Sequence, residues 1–345
     1  MEHFIDVFED CTSKATKIPK EEYLQTGKYI VIDQGQNEIA GYTDTEDGIF
    51  NDVPAIIFGD HTRVIKYVDT PFFLGADGVK LLKAKINNPN YKYLYYALKN
   101  AKIPNTGYNR HFKWLKEIQI HLPDTNKQKD IVNILDKINL IIRKRKEELE
   151  YLDKLIKARF VEMFGDMVIN PNNWDKHSLG ELCDVRDGTH DSPQYYGDGY
   201  PLVTSKNVTD GKIDITNCNF ISEEDYKKIN QRSKVDIGDI LMPMIGTVGN
   251  PVIVDIEPNF AIKNVALIKF KSDSRVLNSF VKILLESDYF DNAVISKIRG
   301  GTQKFISLGD IRKLDICLPP LEVQISFEKF IKQVDKSKFI YSHIT

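Results

Sequence analysis

Leu115-Lys116-Glu117-Ile118-Gln119-Ile120-His121-Leu122-Pro123, near the end of the first third of the chain, returns 196 positions later as Ile311-Arg312-Lys313-Leu314-Asp315-Ile316-Cys317-Leu318-Pro319. At the same offset Gln128 matches Gln324, and Ile131, Ile134 and Ile138 match Phe327, Phe330 and Val334, with no gap. Upstream the likeness is looser: Ala55-Ile56-Ile57-Phe58-Gly59 resembles Leu241-Met242-Pro243-Met244-Ile245-Gly246, and Val79-Lys80-Leu81-Leu82-Lys83 resembles Val265-Ala266-Leu267-Ile268-Lys269. Two unrelated strand-then-helix units are the alternative. The shared Leu-Pro, the shared Gln and the apolar spacing favour an internal duplication.

Within each copy, short β-branched and aromatic runs bounded by Gly, Asp and Asn predict strands, as at Tyr29 to Asp33, Leu202 to Thr204 and Val252 to Ile256. Helices are expected at about 90–100 and 275–287, so each unit is mixed α and β. After Leu122-Pro123 the pattern becomes one long helix. Thr125 and Gln128 have the spacing of a capping box, with the Gln side chain reaching back to the cap amide. Ile131, Leu135, Ile138, Ile142, Arg145, Leu149, Leu152 and Ile156 then step by four and three, a coiled-coil seam interrupted only at Arg145. Such a seam needs a partner. The second copy, after Pro319-Pro320, offers Phe327, Ile331 and Val334 in the same register and weakens at Lys338 and Tyr341. The expectation is two packed helices, the second shorter. An ordinary amphipathic core helix is the alternative.

With 345 residues, 42% of them hydrophobic, the chain has room for two separate cores. No charged-then-apolar leader and no apolar run of about 20 residues is present, so a cytoplasmic chain without a membrane span is expected. Cys11, Cys183, Cys218 and Cys317 lie far apart and suggest neither a disulfide framework nor a zinc site. A formal charge of -2 argues against a chain that coats nucleic acid nonspecifically. Any DNA footprint must be local.

Catalytic motifs fail together. Asn170-Pro171-Asn172 and Asn88-Pro89-Asn90 lack the second proline and aromatic of an amino-methyltransferase and read as turns. Gly300-Gly301-Thr302-Gln303-Lys304 is not a Walker loop, the seven histidines are scattered, and no Gly-x-Ser-x-Gly elbow occurs. What remains is a pair of matched basic stretches. Lys99, Lys102, Arg110, His111, Lys113 and Lys116 precede the first Leu-Pro, with Gly107, Tyr108 and Asn109 among them. Lys297, Arg299, Lys304, Arg312 and Lys313 precede the second, with Gly300, Gly301 and Gln303. Cations neutralise phosphates, Gly permits close backbone approach, and Asn, Gln and Arg can read base edges. A solvated loop is the bland reading of either stretch alone; recurrence at equivalent places favours function.

These residues resemble the specificity subunits of type I restriction-modification systems. Gly300 through Ser307-Leu308, and on through Leu318-Pro319-Pro320-Leu321-Glu322-Val323-Gln324, is similar to that family's end-of-domain signature. Tyr108-Asn109-Arg110-His111-Phe112-Lys113-Trp114-Leu115 resembles its counterpart in the first domain. Asp187-Gly188-Thr189-His190 with Leu202-Val203-Thr204-Ser205-Lys206-Asn207 resembles the opening of a target-recognition domain.

The resemblance implies an α+β fold: two target-recognition domains joined and separated by long helices forming an antiparallel coiled coil. The expected boundaries are 1–123 for the first domain, 124–165 for the helical spacer, 166–320 for the second domain and 321–345 for a short C-terminal helix. It further implies a chain that is not an enzyme and reads a gapped, asymmetric site on double-stranded DNA. The implied partners are two methyltransferase subunits that modify adenine N6 and ATP-dependent restriction and translocase subunits. S-adenosylmethionine, ATP and Mg belong to those partners and no cofactor to this chain. The second helix is shorter than the family's usual one, which leaves a shortened specificity subunit as an alternative, beside a specificity factor of another DNA-modifying or phage-defence complex. A helix over 127–160, roughly 50 Å at 1.5 Å per residue, would act as a ruler for the unread gap. The expected DNA contacts are Arg63, Tyr108, Asn109, Arg110, His111 and Lys113 in the first domain. In the second they are Thr189, His190, Ser205, Lys206, Asn207, Arg299, Gln303 and Lys304.

Overall fold

A computed structural model describes the whole chain except residues 76, 77, 210, 247, 272, 298–304 and 343–345. It forms two compact units, Met1–Arg143 and Lys144–Thr345. The first opens with β1 (Glu2–His3), α1 (Phe4–Val7) and β2 (Phe8–Asp10). β3 (Tyr29–Ile32), β4 (Gly41–Thr43), β5 (Ala55–Gly59), β6 (Ile65–Val68), β7 (Phe72–Leu74) and β8 (Val79–Ala84) follow. Then come α2 (Tyr91–Lys99), α3 (Phe112–Leu115), β9 (Gln119–Ile120) and α4 (Thr125–Phe164). Its sheets run β2-β8-β5-β6 and β4-β3-β7, with β3 and β7 parallel, and β1 pairs with β9.

The second unit begins with β10 (Lys176–Ser178), α5 (Leu179–Leu182), β11 (Asp184–Asp187) and β12 (Tyr200–Val203). β13 (Val208–Thr209), β14 (Lys212–Ile213), β15 (Asn219–Ile221) and α6 (Glu223–Ser233) precede β16 (Ile240–Pro243), β17 (Val252–Ile253), β18 (Ala261–Ile262) and β19 (Val265–Lys269). α7 (Asn278–Leu285), α8 (Asp288–Ala293), α9 (Leu308–Arg312), β20 (Asp315–Cys317) and α10 (Leu321–Ser342) complete it. The sheets run β11-β19-β16-β17 and β15-β12-β18, with β12 and β18 parallel, and β10 pairs with β20. Strand for strand this is the order of the first unit. The β13–β14 hairpin, α6 and α8 are additions of the second.

One alignment read from the sequence is corrected by register. Ile56 pairs with Leu82, and Ile240 with Ile268, so Ile56 corresponds to Ile240 and Gly59 to Pro243. Gly246, matched to Gly59 by sequence, lies in the following turn. The strand at Val252 is also shorter than expected, ending at Ile253.

Side-chain alternation explains why the middle strands are apolar throughout. Ile56, Phe58 and Leu82 face α2 (Tyr93, Leu94, Leu98), while Ile57, Leu81 and Val79 face the small sheet (Ile32, Phe72, Leu74). Ile240, Met242 and Ile268 meet Phe280 and Leu284 of α7, and Leu241, Val265 and Leu267 meet Val203 and Ile262. A lysine is repeated with them. Lys83 donates to the Asp52 carboxylate and the Pro54 carbonyl, and Lys269 to Asp236 and Asp239, each tying the connection before the central strand.

α4 is embedded in a core at each end. Val132 enters the first, and Ile156, Phe160 and Phe164 enter the second. Its start differs from the expected capping box. Asp124 is the cap, accepting from the Lys127 amide at 3.0 Å, and Gln128 donates to the Pro123 carbonyl at 2.8 Å instead of the cap amide. Gln324 repeats that bond to Pro319 at 2.9 Å, donates to the Arg275 carbonyl at 3.0 Å and accepts from the Leu277 amide at 2.8 Å, all while fully buried.

α10 packs antiparallel on the second half of α4. Phe327 packs edge-to-face against Phe160 and Phe164, Phe330 lies under Arg159, and Lys338 pairs with Asp153 at 2.7 Å. Of its expected seam residues Phe327 and Val334 are buried and Ile331 is half-buried. The expected continuous seam on α4 is corrected upstream: Ile138 and Ile142, with Ile134 and Ile141, stay exposed because no described segment of the first unit lies over them.

Candidate nucleic-acid interface

In each unit the turns at one edge of the four-stranded sheet, where β5 or β16 ends and β8 or β19 begins, gather the candidate residues. In the first unit the β5–β6 turn carries Arg63 in a left-handed conformation (φ 63°). Its guanidinium donates to the Ile103 carbonyl at 3.3 Å, and the His111 amide donates to the Asp60 carbonyl at 2.7 Å. The loop before α3 is thereby pinned to the turn. On it, the Tyr108 ring stacks on His61 with centroids 4.7 Å apart and planes 11° apart, and is 88% exposed. Gly107 (φ 77°) supplies the bend that turns Tyr108 outward. Asn109 donates to the Thr106 carbonyl, while Arg110 and Lys113 are exposed, the latter over Trp114.

His111 is corrected as a surface contact. It is 1% exposed and its ring Nδ1 lies 3.0 Å from the Asp60 carbonyl, so it buttresses the loop from beneath. Gln34 was missed by sequence reading: its side-chain oxygen accepts from the His61 amide and its carbonyl from Thr62. Only the strand pairing shows that the end of β3 reaches this turn.

The second unit repeats the pinning, with the Ile306 amide donating to the Met244 carbonyl at 3.0 Å and Phe305 bridging Ile245. Arg299, Gln303 and Lys304 lie outside the described residues. The facing turn holds Gly246 and Gly249 at φ 80° and 89°, where an added Cβ would meet no atom of the described residues within 4 Å.

Thr189, His190 and Ser205 come together around Asn264, with Lys206 next to Ser205 in sequence. Gly188 makes this possible, since a Cβ there would sit 2.2 Å from the Ile262 carbonyl oxygen. Thr189 is half-buried, its amide donating to Ile262 and its hydroxyl accepting from Asp191. The His190 ring, exposed, has Nδ1 2.8 Å from Asn264 Oδ1 and Nε2 2.8 Å from Asp187 Oδ2. Asn264 first, then Asp187, hold its pKa above the ordinary histidine value. Ser205 donates to the Asn264 carbonyl at 3.4 Å, and Lys206 is exposed.

Asn207 is the second correction. It is buried, accepts from the Thr204 amide and hydroxyl, and donates to Asn217, so it caps a turn. Lys263, Asn264 and Arg232 were not singled out from the sequence; they stand apart from the basic stretches. The edge as a whole offers cations for phosphates and amide, hydroxyl and guanidinium groups for base edges. Among the described residues no three His, Cys, Asp or Glu side chains are grouped to hold a metal ion, and no helix is long and apolar enough to cross a membrane.

Residues 5–151 and 171–343 match the family profile described as type I restriction modification DNA specificity domain. The chain is 26% identical over 294 residues to the type I restriction enzyme MjaVIII specificity subunit of Methanocaldococcus jannaschii, a match over 76% of this chain and 69% of that protein. It is 22% identical over 256 residues to the EcoBI specificity subunit of Escherichia coli, a match over 64% of this chain and 52% of that one. The crystal structure of the type I restriction-modification S subunit from M. genitalium superposes with a TM-score of 0.56 at 17% identity, covering 99% of this chain and 90% of that chain, a likeness of fold.

Proposed function

Because the chain belongs to the type I restriction modification DNA specificity family, we propose that it is the DNA-reading subunit of a type I restriction-modification complex. Each unit reads one half of a gapped, asymmetric site. The observation that carries this reading is a scaffold built twice with the same strand order while equivalent edge turns differ: His61 and Arg63 stand in the β5–β6 turn of one unit, and Gly246 and Gly249 in the β16–β17 turn of the other. Identical edges would suit a symmetric site; different edges suit two different half-sites.

In this proposal the chain is not itself an enzyme. Methyltransferase subunits bring S-adenosylmethionine, restriction subunits bring ATP and Mg, and this chain positions them on DNA. α4, the covalent connection between the units, is the spacer that sets the unread gap. The expected domain boundaries at 123, 165 and 320 then shift in meaning, since both ends of α4 belong to the cores they join.

Methylome sequencing of cells carrying this gene with its neighbouring methyltransferase gene tests the reading. A new gapped, asymmetric motif with one N6-methyladenine on each strand is expected. A symmetric motif, or none with soluble chain and active methyltransferase, overturns it.

A further inference from the structure

Asp187, at the end of β11, has a side chain only 6% exposed. A carboxylate so buried is stable only when paired. Here Oδ1 receives the Arg232 guanidinium and Oδ2 faces His190 Nε2. On its other side His190 faces Asn264 Oδ1, so both ring nitrogens meet acceptor oxygens, which suits the doubly protonated ring. One buried negative charge thus stands against two partly exposed positive ones.

Arg232 lies in the last turn of α6, and that turn is fixed: Arg186 donates to the Arg232 carbonyl at 2.7 Å, and Ser233, buried, donates to the Ile229 carbonyl at 3.1 Å. Yet the Arg232 side chain is 69% exposed. Its clamped end orients it and the rest of the fork points to solvent. An arginine ordered in advance loses little freedom on binding and presents two parallel N–H groups to an acceptor pair.

We propose that Arg232, clamped by Asp187, is a DNA-contacting side chain of the second unit that takes an acceptor pair on the duplex, either the O6/N7 edge of a guanine or two phosphate oxygens. This rests on the specificity-subunit reading above. Among the described residues the first unit has no equivalent. Strand pairing puts Thr12, whose amide lies two residues past Asp10, where Asp187 stands, and no helix lies between β4 and β5. The clamp therefore belongs to one half-site only.

The test is methylome sequencing with the wild-type chain, Arg232→Gln, Arg232→Lys, and the double variant Asp187→Asn with Arg232→Gln, which leaves no unpaired buried carboxylate. If Arg232 reads guanine, both Gln variants and the Lys variant relax one position of one half-site, with discrimination there falling roughly ten-fold or more. If it holds phosphate, the motif stays intact, methylation at every site falls in the Gln variants, and the Lys variant recovers most of it. Either result supports the assignment. A wild-type motif and efficiency unchanged in both Gln variants overturns the assignment alone; no motif from the wild-type chain overturns the specificity reading and this assignment with it.

Discussion

Replacing Gln324 with Leu should destabilise the second unit far more than the same change at its repeat partner Gln128 destabilises the first. Gln324 is fully buried and satisfies three backbone groups: the Leu277 amide and the Arg275 and Pro319 carbonyls. Leucine fills similar space and leaves all three without a partner. At about 1–3 kcal/mol for each buried group, and allowing for relaxation, the loss is roughly 3–6 kcal/mol. Gln128 has one such bond, to Pro123 at the edge of the first core, and its loss should be about 1 kcal/mol. The assay is urea unfolding followed by tryptophan fluorescence. The chain has two tryptophans, Trp114 in the first unit and Trp174 in the second, so single-tryptophan variants report each unit separately. With a slope of ~3 kcal/mol per molar urea, the Trp174 midpoint should fall by about 1–2 M in Gln324→Leu while the Trp114 midpoint holds. Equal small shifts for the two substitutions would refute the idea that the repeated glutamine became a three-way tie in one copy.

Gly188→Ala should destabilise the second unit by more than about 2 kcal/mol, read at the Trp174 midpoint, because the new methyl would meet the Ile262 carbonyl backbone. Tyr108→Ala should leave the Trp114 midpoint within about 0.5 kcal/mol, since the ring is exposed, while methylation in the methylome assay drops; unchanged methylation removes Tyr108 from the interface. His190 has a raised pKa in the folded unit, so its contribution to stability is complete below the unfolded value near 6.5 and is lost as pH rises through the folded one. DNA affinity, measured on a duplex carrying the methylome-defined motif, should fall in the same direction as that positive charge is lost, and His190→Gln should flatten the profile. Persistence of the full slope in that variant would exclude His190 as its source. If the exposed Ile138 face of α4 takes up the methyltransferase subunit of the proposed complex, Ile138→Glu should spare folding yet abolish co-purification of the two; retained co-purification argues against that face.

The duplication, the mixed composition and the paired helices were legible because they are written in local spacing. Leu-Pro-x4-Gln recurs without a gap, and Phe327 and Val334 fall where α4 needs partners. Less was legible at the interface. Asn207 and His111 have the chemistry of base-reading residues, but burial is decided by strands far away in sequence, and both are spent inside turns. Arg232 was hidden for the converse reason. Nothing in its neighbourhood singles it out, and its meaning comes from Asp187, 45 residues earlier. The seam failed between Ile134 and Ile142 because heptad spacing reports a helix's appetite for a partner and says nothing about which chain supplies it.

The segregation of core from edge has an evolutionary consequence. The residues that hold each unit together, such as Ile57, Leu241, Lys83 and Lys269, sit within strands or tie them, whereas Tyr108, Lys206 and Arg232 project from turns and a helix end. Drift at Tyr108 and Lys206, both exposed, is almost silent to thermal selection, whereas Arg232 can change freely only together with the buried Asp187 it pairs with. If each unit reads its own half-site, as proposed, two copies on one chain make that freedom combinatorial: one head could explore new preferences while its sibling holds its own.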